Sequence, residues 1–174
     1  DFWAVDLDNI EESQAAPVGL VVSVPESSGP TDVIITNTNT GQTLGPSQLG
    51  VGSNKVASGA VKVFTLPGGS DLDGSSVSSG TFHVATSYPT TVHQFNPLNG
   101  DGVYTNDASL LLPAEVTGDR YYVMSWPHRQ EEEFILRGFA AILATQPGLT
   151  EVLVIPTSTV TAGSGVEDLT PNAS

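Results

Sequence analysis

The chain of 174 residues contains no cysteine. Disulfide bonds, thiolate metal sites and cysteine nucleophiles are therefore excluded. The missing cysteines do not decide the compartment, because a chain of this length can bury enough core to fold outside a cell without disulfides.

Positive charge is also scarce. There are 5 Lys and Arg against 19 Asp and Glu, which gives a net charge of −14. Nucleic acids and anionic membrane surfaces both attract clustered cations, so this composition argues against either as a partner. No apolar run approaches the ~20 residues of a membrane-spanning helix, so we predict no membrane insertion. No signal peptide is visible, and we interpret Asp1 as a mature or trimmed start.

Charged residues make up only 14% of the chain, whereas Ser, Thr, Gly and Asn are abundant. This composition favours β-structure, because helical proteins rely on Glu, Lys, Arg, Ala and Leu. The acidity, together with the scarcity of lysine, is common on secreted proteins. This correlation is compatible with a secreted or cell-surface protein.

The chain contains an internal repeat with a spacing of about 60 residues, the size of a stacked supersecondary unit. Residues 19–24 (GLVVSV) return two spacings later as 138–143 (GFAAIL). Residues 31–35 return at the same distance as 150–154. A third copy lies between them, at residues 80–92. Each copy has two apolar runs separated by a turn, and we predict that each forms an antiparallel hairpin.

Further strands are predicted at residues 2–7, 61–66 and 121–126, where β-branched and aromatic residues are frequent. In the first unit, the strand at 61–66 follows the hairpin. In the last unit, the chain ends before an equivalent strand would arrive, so this unit is predicted to be truncated. The prediction is one all-β domain over residues 1–174, packed as a β-sandwich, with a partial β-propeller as the alternative.

Two segments resemble a known family. Residues 88–98 (YPTTVHQFNPL) and 106–113 (NDASLLLP) are similar to motifs of the IgGFc-binding protein N-terminal domain family, and residues 2–9 (FWAVDLDN) resemble the start of its bacterial members. The resemblance covers most of the chain. It implies an extracellular or cell-surface, all-β, non-enzymatic module that is often joined to adhesion domains. Binding of immunoglobulin Fc does not carry over, because no Fc-contact residue can be placed on this sequence.

Two acidic loops are candidates for a calcium site. Asp71 and Asp73 in one loop, and Asn99 and Asp101 in the other, place oxygen donors at alternate positions next to glycine. Calcium takes six to eight oxygen ligands, to which such loops can contribute. The same residues are also those that tight turns use, and neither loop has the closing glutamate of a full calcium-binding loop. No other cofactor is indicated.

Catalytic residues are not indicated. His83, His93 and His128 are the only histidines, and His83 and His93 are expected to face each other on one hairpin. Two imidazoles do not complete a zinc site, and no Gly-x-Ser-x-Gly nucleophile motif is present. Aromatic residues such as Trp3 and Trp126 are expected in the core, with the lining of a glycan or protein site as the alternative.

The leading hypothesis is a non-enzymatic structural or adhesion module. It would associate through sheet edges and loops with other protein chains, either copies of itself or the remainder of its own polypeptide. A sheet that lacks a strand exposes backbone donors and acceptors to such pairing. The alternatives are a module that binds calcium or glycan, and an enzyme that acts on glycans.

Overall fold

A computed structural model of the chain describes residues 1–9, 11–69, 72–99, 107–130 and 135–171. The described residues up to 136 form strands joined by loops, with one short α-helix. The strands are β1 Phe2–Val5, β2 Gly19–Ser23, β3 Thr31–Asn37, β4 Gln42–Thr43, β5 Lys55–Val56, β6 Val61–Thr65, β7 Thr81–Thr86, β8 Thr91–Asn96, β9 Asp107–Leu111, β10 Arg129–Gln130 and β11 Ile135–Leu136. The helix α1 is Glu11–Gln14, and a 3₁₀ turn is formed by Ala114–Val116.

Two antiparallel sheets share one core. Sheet I has the order β1-β7-β3-β4, with β5 also paired to β3, and sheet II has the order β6-β2-β8-β9. β10 and β11 form a separate two-stranded ribbon. The all-β class and the sandwich-like packing predicted from the sequence are confirmed. Among the described residues, no helix is long and apolar enough to cross a bilayer.

The alternation along each strand explains which side chains enter the core. In β3, Val33 and Ile35 are buried and Ile34 between them is exposed, as expected when successive side chains point to opposite faces of a sheet. Leu20 and Val22 of β2 are fully buried in the same cluster. Because β2 lies in sheet II and β3 in sheet I, the two runs of the first unit meet through side chains across the core.

The expected hairpin pairing within each unit is therefore replaced by a different arrangement. β2 forms its hydrogen bonds with β6 and β8, whereas β3 pairs with β7, β4 and β5. The second unit is divided in the same way, with β7 in sheet I and β8 in sheet II. The physical reason is burial, because each apolar run becomes a central strand with a neighbour on both edges, which a two-stranded hairpin cannot provide.

The two units pair with each other in a reciprocal pattern. The first run of one unit pairs with the second run of the other, as β2·β8 in sheet II and as β7·β3 in sheet I. Exchanging β2 with β7 and β3 with β8 leaves this pattern unchanged. The arrangement therefore has the connectivity of a pseudo-twofold axis, and each unit provides a hydrogen-bonded neighbour for both strands of the other.

The third unit, residues 138–156, does not form its predicted hairpin. No strand is assigned in this segment, nor in residues 121–126, which were also expected to form a strand. The sequence pattern is that of the other units, but strand formation requires a hydrogen-bonded neighbour. The first two units satisfy each other, and no further unit lies in the described ranges to pair with the third.

Candidate functional site

The predicted calcium ligands fall in different situations. Asp71 and Asp101 lie outside the described residues. Asp73 and Asn99 are described, and both are exposed. Within the described part of the chain, no group of three or more His, Asp or Glu gathers where a metal ion could be held.

A guanidinium group lies beside Asp73. Arg137 Nη1 is 3.4 Å from Asp73 Oδ1 and 3.7 Å from Asp8 Oδ2. Asp8 Oδ2 also accepts a hydrogen bond from the backbone N–H of Gly74 at 3.3 Å. The cluster therefore joins three distant segments of the chain and connects the sandwich to the residues just before the third unit.

The three histidines do not form a common site. His83 lies on β7 in sheet I, and His93 lies on β8 in sheet II. The expectation that they face each other on one hairpin is wrong, because the two runs of the second unit belong to opposite sheets. The third, His128, has its Nε2 3.1 Å from the carbonyl oxygen of Gly138.

His83 instead belongs to a row of side chains on the outer face of sheet I. Its cross-strand neighbours are Trp3 on β1 and Thr36 on β3. The Trp3 and His83 rings are tilted by 47°, with their centroids 4.8 Å apart. At the other end of the row, the hydroxyls of Thr36 and Thr43 are 3.4 Å apart. The row points outward because Phe2, Phe82 and Ile35 occupy the inward positions of the same strands.

The environment of His83 favours its neutral form. Burial lowers the pKa of His83 below 6.5, and the positive amino group of Asp1 acts in the same direction. The Asp1 carboxylate is 3.3 Å from Nε2.

An open cleft of about 440 Å³ lies beside this row. One wall is formed by Trp3, Thr36, Thr38 and His83, and the other by residues 144–147 of the third unit. The Thr38 hydroxyl is held 2.7 Å from that of Thr81, so its orientation is fixed. An aromatic ring beside ordered hydroxyls suits a sugar ring or an extended peptide.

Sequence reasoning identified Trp3 and His83 separately, the first as a possible lining residue and the second as a histidine of interest. It did not identify the threonines. Their outward positions follow from the alternation along β3, but the register that places them beside His83 has no local sequence signal.

One edge of sheet II is open. β9 pairs with β8 along one side, and no strand in the described ranges pairs with its other side. Leu110 on β9 is 55% exposed. Such an edge can accept a strand from another chain.

Beyond β9, the described chain exposes many large apolar side chains. Residues of this type include Tyr121, Tyr122, Val123, Met124, Trp126, Phe139, Ile142, Leu149, Val152, Leu153, Val154 and Ile155. Soluble monomers rarely expose so large an apolar surface, and such surfaces commonly mark protein interaction sites.

The comparisons with known proteins concern this same region. The family model described as IgGFc binding protein matches residues 107–174, from β9 through the third unit. The match confirms the resemblance to that family over this part of the chain, and it fits an extracellular binding or adhesion module. No curated protein and no solved structure matches the chain.

Proposed function

We propose that this chain is a non-enzymatic module of a secreted or cell-surface protein, and that it acts in adhesion or assembly by binding other protein chains. The observation that carries the proposal is a coincidence in position. The region matched by the family model is also the region with an open strand edge and exposed apolar runs.

Charge supports a selective interaction. The chain has a net charge of −14, so copies and other acidic proteins repel one another at long range. Residues 138–156 contain a single charged side chain, Glu151. The third unit is therefore the part of the surface that can approach another chain with little electrostatic cost.

A direct test is to immobilise the chain and measure binding of purified extracellular proteins, including an Fc fragment, fibronectin, a mucin and the chain itself. We expect saturable binding of at least one of them. A Val152→Asp variant should lose it, because an added charge opposes burial of this surface. A matched variant, Val61→Asp, adds the same charge at an exposed site on β6 and should bind normally. If no protein binds, the chain itself included, the proposal is wrong.

A second candidate function is glycan binding in the cleft beside Trp3. It is favoured by the half-buried aromatic ring of Trp3 and the ordered hydroxyl of Thr38. Titration calorimetry with a panel of oligosaccharides tests it, with Trp3→Ala expected to lose binding and Trp126→Ala expected to retain it. Heat signals that are equal for both variants would exclude this cleft. Calcium binding by the loops of Asp73 and Asn99 stays a separate prediction.

A further inference from the structure

The first and second units pack against each other in a way that leaves neither apolar run exposed. Leu20 of β2 and Val33 and Ile35 of β3 are at most 1% exposed and belong to one core cluster. Each of the two strands is hydrogen-bonded on one edge to a strand of the second unit. Each of these two units therefore provides the strands that pair with the strands of the other unit.

The third unit repeats this sequence but not the burial. By the repeat spacing, Phe139 corresponds to Leu20, Val152 to Val33 and Val154 to Ile35. These three side chains are 44%, 49% and 41% exposed. Positions that are fully buried in the first unit are thus partly exposed in the third.

We propose that the third unit pairs with the third unit of a second copy of this chain, in the same reciprocal pattern by which β2 and β3 pair with β8 and β7. Such a contact is isologous and closes as a twofold dimer. The pseudo-twofold pairing inside the sandwich becomes a true twofold pairing between chains. This inference rests on the proposed function and names a second copy as the partner.

Charge placement is compatible with this dimer. Glu151 corresponds to Asp32, which lies on the exposed side of β3 and pairs with Lys55 at 2.8 Å. By the same alternation, Glu151 points away from the interface when Val152 and Val154 point into it. The two carboxylates of the dimer then remain in water and do not oppose association.

The repeat also supplies a matched pair of variants. Val154 corresponds to the buried Ile35, and Leu153 corresponds to the exposed Ile34. In the structure of one chain, Leu153 is the more exposed of the two, at 85% against 41%. If the chains associate by nonspecific apolar contact, Leu153→Asp should weaken the dimer more than Val154→Asp. If they pair by the repeat pattern, Val154→Asp should weaken the dimer more.

The experiment is sedimentation equilibrium of the 174-residue chain and both variants over a wide concentration range. We expect a monomer–dimer equilibrium for the wild-type chain. Val154→Asp should raise the dimer Kd at least 100-fold, and Leu153→Asp should change it less than threefold. Circular dichroism checks that the sandwich is intact, since both positions lie outside it.

Three results would overturn the inference. One is a monomer at every concentration, and the proposed function survives this if another protein still binds the Val152 surface. The second is an equal effect of the two variants, which indicates nonspecific apolar contact. The third is a dimer that forms in the 174-residue chain but not in a longer native polypeptide, which indicates that another unit of the same polypeptide is the partner.

Discussion

Gln94→Leu is expected to destabilise the sandwich strongly, although it replaces a polar side chain in the core with an apolar one. Gln94 lies on β8 and is only 4% exposed. Its Oε1 accepts a hydrogen bond from the backbone N–H of Val5 at 3.1 Å, and its Nε2 donates to the carbonyl oxygen of Val5 at 2.7 Å. The side-chain amide thus joins β1 of sheet I to β8 of sheet II, much as a neighbouring strand would.

The expected magnitude follows from these two bonds. Leucine cannot replace either of them, and a buried donor or acceptor that loses its partner costs about 1–3 kcal/mol. Val5 is half-buried, so water partly compensates. The free energy of unfolding should therefore fall by about 2–4 kcal/mol, a large part of the roughly 5–15 kcal/mol that stabilises a typical domain.

Urea unfolding followed by tryptophan fluorescence measures this change. The control is His93→Leu, the adjacent residue on the opposite face of β8, which should change the free energy of unfolding by less than about 0.5 kcal/mol. If Gln94→Leu is as stable as the wild-type chain, with an unchanged denaturant slope, the amide does not hold the two sheets together and this reasoning is refuted.

Three further predictions concern other parts of the chain. Phe64→Ala empties a fully buried position and should cost about 3–5 kcal/mol in urea unfolding, whereas Val63→Ala beside it, 45% exposed, should cost far less. Arg137→Gln removes exposed ion pairs, so global stability should change by at most about 1 kcal/mol, but amide exchange of the N–H of Gly74 should become faster; unchanged exchange would argue against the cluster. The pKa of His83 is lowered on folding, so the folded chain favours the neutral imidazole. This preference adds to the free energy of unfolding above pH 6.5, and the contribution is lost as the pH falls through the folded-state pKa of His83. His83→Gln should therefore weaken the loss of stability between pH 7.5 and pH 5.5, and an identical pH dependence in the two proteins would contradict this.

The sequence predicted the strands of the first half well, because local alternation determines them. The apolar run of Val33, Ile34 and Ile35 predicted the strand, but three consecutive apolar residues do not show which face is buried. The division of each unit between two sheets could not be read from the sequence, since the proline-flanked turn at residues 25–30 suits either a hairpin or a crossing. Hydrogen-bond partners of a strand are set by distant segments, and a single sequence contains no local record of them.

The third unit shows more clearly that local sequence does not determine whether a strand finds a partner. Residues 150–154 resemble residues 31–35 closely, yet only the earlier segment forms a strand. Strand propensity is therefore not sufficient without a neighbouring strand. The candidate site was partly predictable, because Trp3 stood out by residue type, but its contact with His83 and the contact of Arg137 with Asp8 arise from tertiary structure.

The most direct test of the account is amide hydrogen exchange of residues 138–156 as a function of protein concentration. An unpaired segment exchanges fast, and a hydrogen-bonded strand exchanges slowly. We predict fast exchange in dilute solution and protection that grows with concentration in parallel with dimer formation. Protection that is already complete in dilute solution, or fast exchange at every concentration, would contradict the claim that the third unit is unpaired in the monomer and forms strands by pairing with a second copy.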